Sequence, residues 1–162
     1  MRAISNTGPI IALAKVDRLS LLKELFGEVV IPPIVNKELC AKSGSEWDAI
    51  ENALKDYLHI QEPMPLDAAE KLLLADLDEG ERQAIELALT VGNDVILLLD
   101  DRAGRQAAQK LNIPVTGIVG ILLLAKERGL IKGVAEVLES IRNNGYWLSN
   151  MIIEVAKHLA GE

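Results

Sequence analysis

A mostly parallel α/β sheet covered by helices on both faces is the fold class this sequence predicts. Three observations carry that reading. Short strand-like apolar runs alternate with segments of helical period along nearly the whole chain. The run Val95–Leu99 contains no polar residue, as in strands buried on both faces. The 162 residues are 49% apolar and 25% charged, which suits one compact domain over residues 1–162 with a sizeable core.

Taken in order, Ala3-Ile4-Ser5 reads as a short buried strand, ended by the turn formers Asn6-Thr7-Gly8-Pro9. Pro9 suits the first turn of a helix in which Ile10, Leu13 and Ala14 repeat. Leu19, Leu22 and Leu25 mark a second helix. Val29–Ile31 is a second strand, stopped by Pro32-Pro33. Ile34, Val35 and Leu39 mark a helix ending near Ser43-Gly44, and Trp47, Ile50 and Leu54 mark another. Leu58-His59-Ile60 is a short edge strand. A linker and a weak helix fill Pro63–Leu74, and residues 81–91 form the next helix. Asp94–Leu99 is a strand, Arg102–Leu111 a helix, and Pro114-Val115-Thr116 the last strand. Gly117–Arg128, Val134–Arg142 and Met151–Ala160 are helices. The stripe Ile121, Leu122, Ala125 with Leu130 and Ile131 reads as core, with a homodimer face as the alternative.

Composition excludes several functions. Seventeen basic against 24 acidic residues give a net charge of −7, unlike a sequence-blind basic nucleic-acid coat. Aromatics are 3%, too few for a protein that binds single strands mainly by stacking bases. The lone Cys40 excludes a disulfide framework and a thiolate zinc site, fits a reducing cytoplasm, and reads as a core residue beside Leu39. No apolar run reaches the length of a membrane helix, so a soluble cytoplasmic chain is expected, with no targeting segment. His59 and His158 lie away from the strand ends and read as ordinary, partly exposed residues.

In parallel α/β sheets ligands bind beyond the carboxyl ends of the strands. Several oxygen-bearing side chains fall there. Asp100 and Asp101 follow the strand Val95–Leu99; one of them is also a natural helix cap. Glu38 lies in or beside the apolar stripe of Ile34, Val35 and Leu39, where a carboxylate is costly unless satisfied. It could equally reach solvent or pair with Lys37 or Lys42. Glu81 leads the inward face of Ala84, Ile85 and Ala88, yet Asp78-Glu79-Gly80-Glu81 also has the form of a capping box. Asn6 closes the first strand and is, by itself, a turn residue. Converging carboxylates repel one another and raise each other's pKa values, a cost that a divalent cation removes. Oxygen donors suit Mg²⁺ or Mn²⁺.

The segments Asn6-Thr7-Gly8-Pro9-Ile10-Ile11, Ile31–Leu39, Leu77–Ile85, Leu97–Arg102 and Gly117–Lys126 together resemble, in order and spacing, a PIN domain of the VapC-like branch. The resemblance covers nearly the whole chain. It implies a three-layer α/β/α fold with five parallel strands in the order 3-2-1-4-5. It also implies an endoribonuclease dependent on Mg²⁺ or Mn²⁺, often the toxin half of a toxin–antitoxin pair. The family acids fall on Asn6, Glu38, Glu81 and Asp100, with Asp101 accessory and Thr7 at a supporting hydroxyl position. Asn6 departs from the aspartate usual in the family, and Gly8 from a common serine.

On this reading one or two metal ions sit on Glu38, Glu81, Asp100 and Asp101, with Asn6 as a neutral ligand or an orienter of bound water. Arg102 and Arg105 are candidates to hold the substrate phosphate, or else a solvated helix face. Expected partners are an RNA substrate and an antitoxin protein with a basic side chain for the acidic mouth. The competing readings are a degenerate PIN domain that binds RNA or protein without cutting, motivated by Asn6, and a phosphoryl-accepting receiver domain, motivated by Asp100-Asp101. The receiver fits poorly, because its paired acids would follow the first strand. A dinucleotide-binding domain fits less well still, because no G-x-G-x-x-G is present.

Overall fold

The structure is a computed structural model that describes every residue except Ser43. The expected helix end at Ser43 therefore lies outside the described residues. In chain order the elements are β1 (Arg2–Ser5), α1 (Thr7–Lys15), α2 (Leu21–Phe26), β2 (Val29–Ile31), α3 (Pro33–Lys42) and α4 (Trp47–Leu54). These are followed by β3 (Leu58–Ile60), α5 (Ala68–Leu73), α6 (Glu79–Val91), β4 (Val95–Leu98) and α7 (Arg102–Lys110). The chain continues through β5 (Val115–Thr116), α8 (Ile118–Glu127), α9 (Val134–Asn143) and α10 (Asn150–Ala160).

The five strands are all parallel, in the order β3-β2-β1-β4-β5. Alternating side chains on each strand feed two separate cores. Ala3, Val29, Ile31 and Leu98 pack under α1 to α4 and α8 to α10. Ile4, Val30, Val95, Leu97 and Leu99 pack under α6 and α7. The division follows from chain direction. Right-handed crossovers from β1 through β2 to β3 lay their helices on one face. The chain then returns past β1 to β4 and β5, and the same handedness puts α6 and α7 on the other.

Element boundaries shift by a residue or two from the sequence reading, each for a local reason. The first helix begins at Thr7, so Pro9 is its third residue, still within the turn whose N–H groups need no helical partner. Asp78 caps α6, which moves its start back to Glu79. Asp94 has φ +60 and leaves the strand before Val95, whereas Leu99 still donates its N–H to the Thr116 carbonyl at 2.9 Å. Ile121, Leu122 and Ala125 are fully buried and Ile131 nearly so, which makes that stripe core. Cys40 is exposed, contrary to expectation. One residue beyond the buried Leu39, it is turned about 100° around the helix and out of the stripe shared with Val35.

Leu97 lies on the internal strand β4 and is fully buried between the sheet and α6–α7. Leu97→Ala is expected to lower the unfolding free energy by about 3 kcal/mol, the range for a buried leucine truncated in a close-packed core. Urea denaturation with an unchanged m-value measures it.

Candidate active site

The strand order reverses at β1, which lies between β2 and β4. Ligands bind at such a switch point. The Asn6 N–H donates to the Leu98 carbonyl at 3.0 Å, so the ends of β1 and β4 are joined where both chains leave the sheet. Asn6 occupies the N-cap of α1 with extended backbone (φ −80, ψ 176), yet its side chain caps nothing. Its Oδ1 is buried and has no hydrogen-bond partner among the described residues. A buried carbonyl oxygen left in this way costs free energy unless a ligand satisfies it.

Beside it, the buried Thr7 hydroxyl donates to Glu38 Oε2 at 2.9 Å. Lys42 Nζ reaches the same oxygen at 3.4 Å from an exposed position, an i,i+4 pair of small energetic weight. A Cβ on Gly80 would stand 2.6 Å from Glu38 Oε1 and 3.2 Å from Asn6 Oδ1. Both oxygens therefore face one point at the start of α6, where the positive end of the helix dipole favours negative charge. A side chain at position 80 would displace the Glu38 carboxylate from this point.

Asp100 is held on both oxygens. Oδ1 accepts the Ile118 N–H at 2.7 Å, at the start of α8, and Oδ2 accepts the Tyr146 hydroxyl at 2.9 Å. A Cβ on Gly117 would come within 2.5 Å of Oδ1. Burial pushes the Asp100 carboxyl up. The Ile118 N–H, the Tyr146 hydroxyl and the Arg105 charge oppose that rise without cancelling it.

Glu81 and Asp101 hold their own helices. Asp101 Oδ2 accepts the Gly104 N–H at 2.8 Å and caps α7, which settles which of the two aspartates is the cap. Glu81 forms the capping box with Asp78: its N–H donates to Asp78 Oδ1 at 2.8 Å, and its Oε2 accepts the Asp78 N–H at 3.3 Å. Burial raises the Glu81 pKa to about 7, with further contributions from the charges of Asp78 and Asp101. The capping readings of Glu81 and Asp101 both hold in the structure.

The structure gathers Asn6, Thr7 and Glu38 around Gly80, with Asp100 across the β1–β4 join. Glu81 and Asp101 stand close enough to influence each other electrostatically, but their side-chain oxygens serve backbone N–H groups. Among the described residues no three His, Cys, Asp or Glu side chains form a compact metal-holding group. Arg105 directs its charge toward Asp100, whereas Arg102 is an exposed residue at the start of α7. Tyr146 and the spacing glycines Gly80 and Gly117 did not emerge from the sequence reading. Tyr146 lies 46 positions from Asp100, and no periodic pattern links them.

Fold and site together define a three-layer α/β/α protein with an oxygen-lined mouth at its topological switch point. A family model described as a PIN domain matches residues 2–162. The chain belongs to the PIN domain family, whose members are commonly nucleases that act on RNA and generally use divalent metals. No curated protein matches it.

The raised pKa of Glu81 has a measurable consequence. Its carboxyl favours the protonated form in the folded chain, so its stabilising contribution is full below the ordinary value of 4.5 and is lost as pH rises through about 7. In metal-free buffer the wild-type Tm is expected to fall across that window relative to Glu81→Gln, which keeps the capping geometry without the charge. Thermal melts from pH 4 to 8 compare the two, and parallel profiles would refute the assignment.

Proposed function

We propose that this PIN domain is a metal-dependent endoribonuclease that hydrolyses RNA phosphodiester bonds, and that it serves as the toxin of a toxin–antitoxin pair. The observation that carries the reading is the buried, unpartnered Asn6 Oδ1 facing the same point as Glu38 Oε1, beside Asp100 at the switch point. The donors there are all oxygens, which fits Mg²⁺ or Mn²⁺ and disfavours softer metals.

Asn6, Glu38 and Asp100 would hold the ion, with Glu81 and Asp101 as the further carboxylates of the mouth. When bound, the metal lowers the pKa of a water for attack on phosphorus and offsets charge building on the phosphate oxygens. Thr7 fixes the Glu38 carboxylate by donating to Oε2, leaving Oε1 turned toward Gly80, which Asn6 Oδ1 also faces. The Ile118 N–H fixes Asp100 in the same manner. Arg105, and Arg102 one turn earlier, supply positive charge for the scissile phosphate in a chain of net charge −7.

Next to the acidic mouth α10 exposes Met151, Val155 and Leu159, and Trp147 precedes them at 80% exposure. These residues line one groove with Asp100, Asp101 and Arg105. An antitoxin with apolar anchors and a basic side chain for the aspartates suits this surface. No helix among the described residues is long and apolar enough to cross a membrane.

Two observations favour a second reading, a PIN domain that binds RNA or a protein partner without cutting: Asn6 brings no charge, and no compact group of three His, Cys, Asp or Glu is present among the described residues. Cleavage of labelled RNA with Mn²⁺ by wild type, Asn6→Asp and Asp100→Ala separates the two. Wild type is expected to cut, and EDTA to stop it. Asn6→Asp should be faster. Asp100→Ala should lose several kcal/mol of transition-state stabilisation, about a hundredfold or more in rate. Equal inertness of all three with retained RNA binding would establish the binding module instead.

A further inference from the structure

Tyr146 comes from the far end of the chain, and its placement is tightly specified. Helix α9 ends in a Schellman arrangement. The Tyr146 N–H bonds to the Ile141 carbonyl at 3.3 Å, and the Gly145 N–H to the Arg142 carbonyl at 3.1 Å, with Gly145 at φ +96. The ring packs against the larger of the two cores, so the hydroxyl has little freedom to wander. That hydroxyl donates to Asp100 Oδ2 at 2.9 Å. A Cβ on Gly8 would lie 3.0 Å from the same hydroxyl and 3.9 Å from Asp100 Oδ2. Position 8 and the Tyr146 hydroxyl therefore compete for one small volume in front of Asp100.

We infer that Tyr146 is the positioning residue of Asp100, and that its hydroxyl stands where a serine at position 8 would otherwise present one. Gly8 is then a steric condition for Tyr146. Either residue alone can supply the hydroxyl, but the two crowd each other when both are present. In this contact the Tyr146 hydroxyl is the donor and the carboxylate the acceptor. With Ile118 holding Oδ1, the Tyr146 bond fixes the carboxylate plane and leaves only the remaining lone pairs free for a metal ion. This inference rests on the metal-dependent reading for its effect on ion affinity, but the exchange between positions 8 and 146 stands on packing alone.

Four proteins test it: wild type, Tyr146→Phe, Gly8→Ser, and the double variant Gly8→Ser/Tyr146→Phe. Phenylalanine keeps the ring and its packing, so the fold is retained. Mn²⁺ affinity is measured by calorimetry and Tm by thermal melts. Tyr146→Phe should weaken Mn²⁺ binding by about tenfold, the lower end of the range for losing a partner of a metal ligand. Gly8→Ser should weaken binding and lower Tm in the wild-type background through crowding. In the double variant the serine should regain most of the affinity, with a Tm above the sum of the single effects. Wild-type affinity in Tyr146→Phe overturns the positioning role. Additive Tm changes overturn the exchange, whether or not metal binds. A wild-type chain that binds no Mn²⁺ overturns the nuclease reading together with the metal-positioning role, and the Tm comparison then still decides the exchange.

Discussion

The parallel pairing of β1 with β4 is the constraint on which the candidate site depends. Register Arg2↔Val95 through Ser5↔Leu98 ends in the bond from the Asn6 N–H to the Leu98 carbonyl. A slip of one residue would turn Ile4 and Leu97 to the opposite face and carry Asn6 away from Asp100. Because β1 and β4 also send Ala3 and Leu98 into the opposite core, both faces of the sheet resist that slip. The packing that stabilises the domain thus also fixes which oxygens meet at the mouth.

Around that join the chain manages negative charge with neutral donors and with space. Glu38 is held by the Thr7 hydroxyl, and Asp100 by the Ile118 N–H and the Tyr146 hydroxyl. Helix starts at Gly80 and Gly117 bring favourable dipoles close. At both positions a Cβ would press on a carboxylate oxygen. Neutral donors orient an acid without consuming the charge that a cation or a basic partner would meet. Glu81 and Asp101 follow a different logic. Their oxygens satisfy backbone N–H groups, and their mutual proximity, on top of burial, helps raise the Glu81 pKa. An acid that caps a helix at the edge of a site is both a structural and an electrostatic element.

Much of the fold was legible because apolar periodicity records burial directly. The five strands fall where the sequence places them, and the alternation of strand and helix predicts the parallel sheet. The strand order entered through likeness to a family, and the structure bears it out. The oxygen donors at strand ends and helix starts were legible too, since a carboxylate in an apolar stripe stands out. Cys40 was misread because its neighbour Leu39 is buried, and a helix turns about 100° between the two. The cap at Asp101 was open between two adjacent aspartates until the Gly104 N–H chose one.

The sequence by itself determined the elements, the class of sheet and the chemical type of the mouth, because periodicity and turn chemistry act over a few residues. Only the tertiary structure decided that Tyr146 grips Asp100, that Gly8 makes room for it, and that Asn6 and Glu38 look toward Gly80. Those relations join residues tens of positions apart, and they depend on contacts of about 3 Å that only the packed sheet and helices impose.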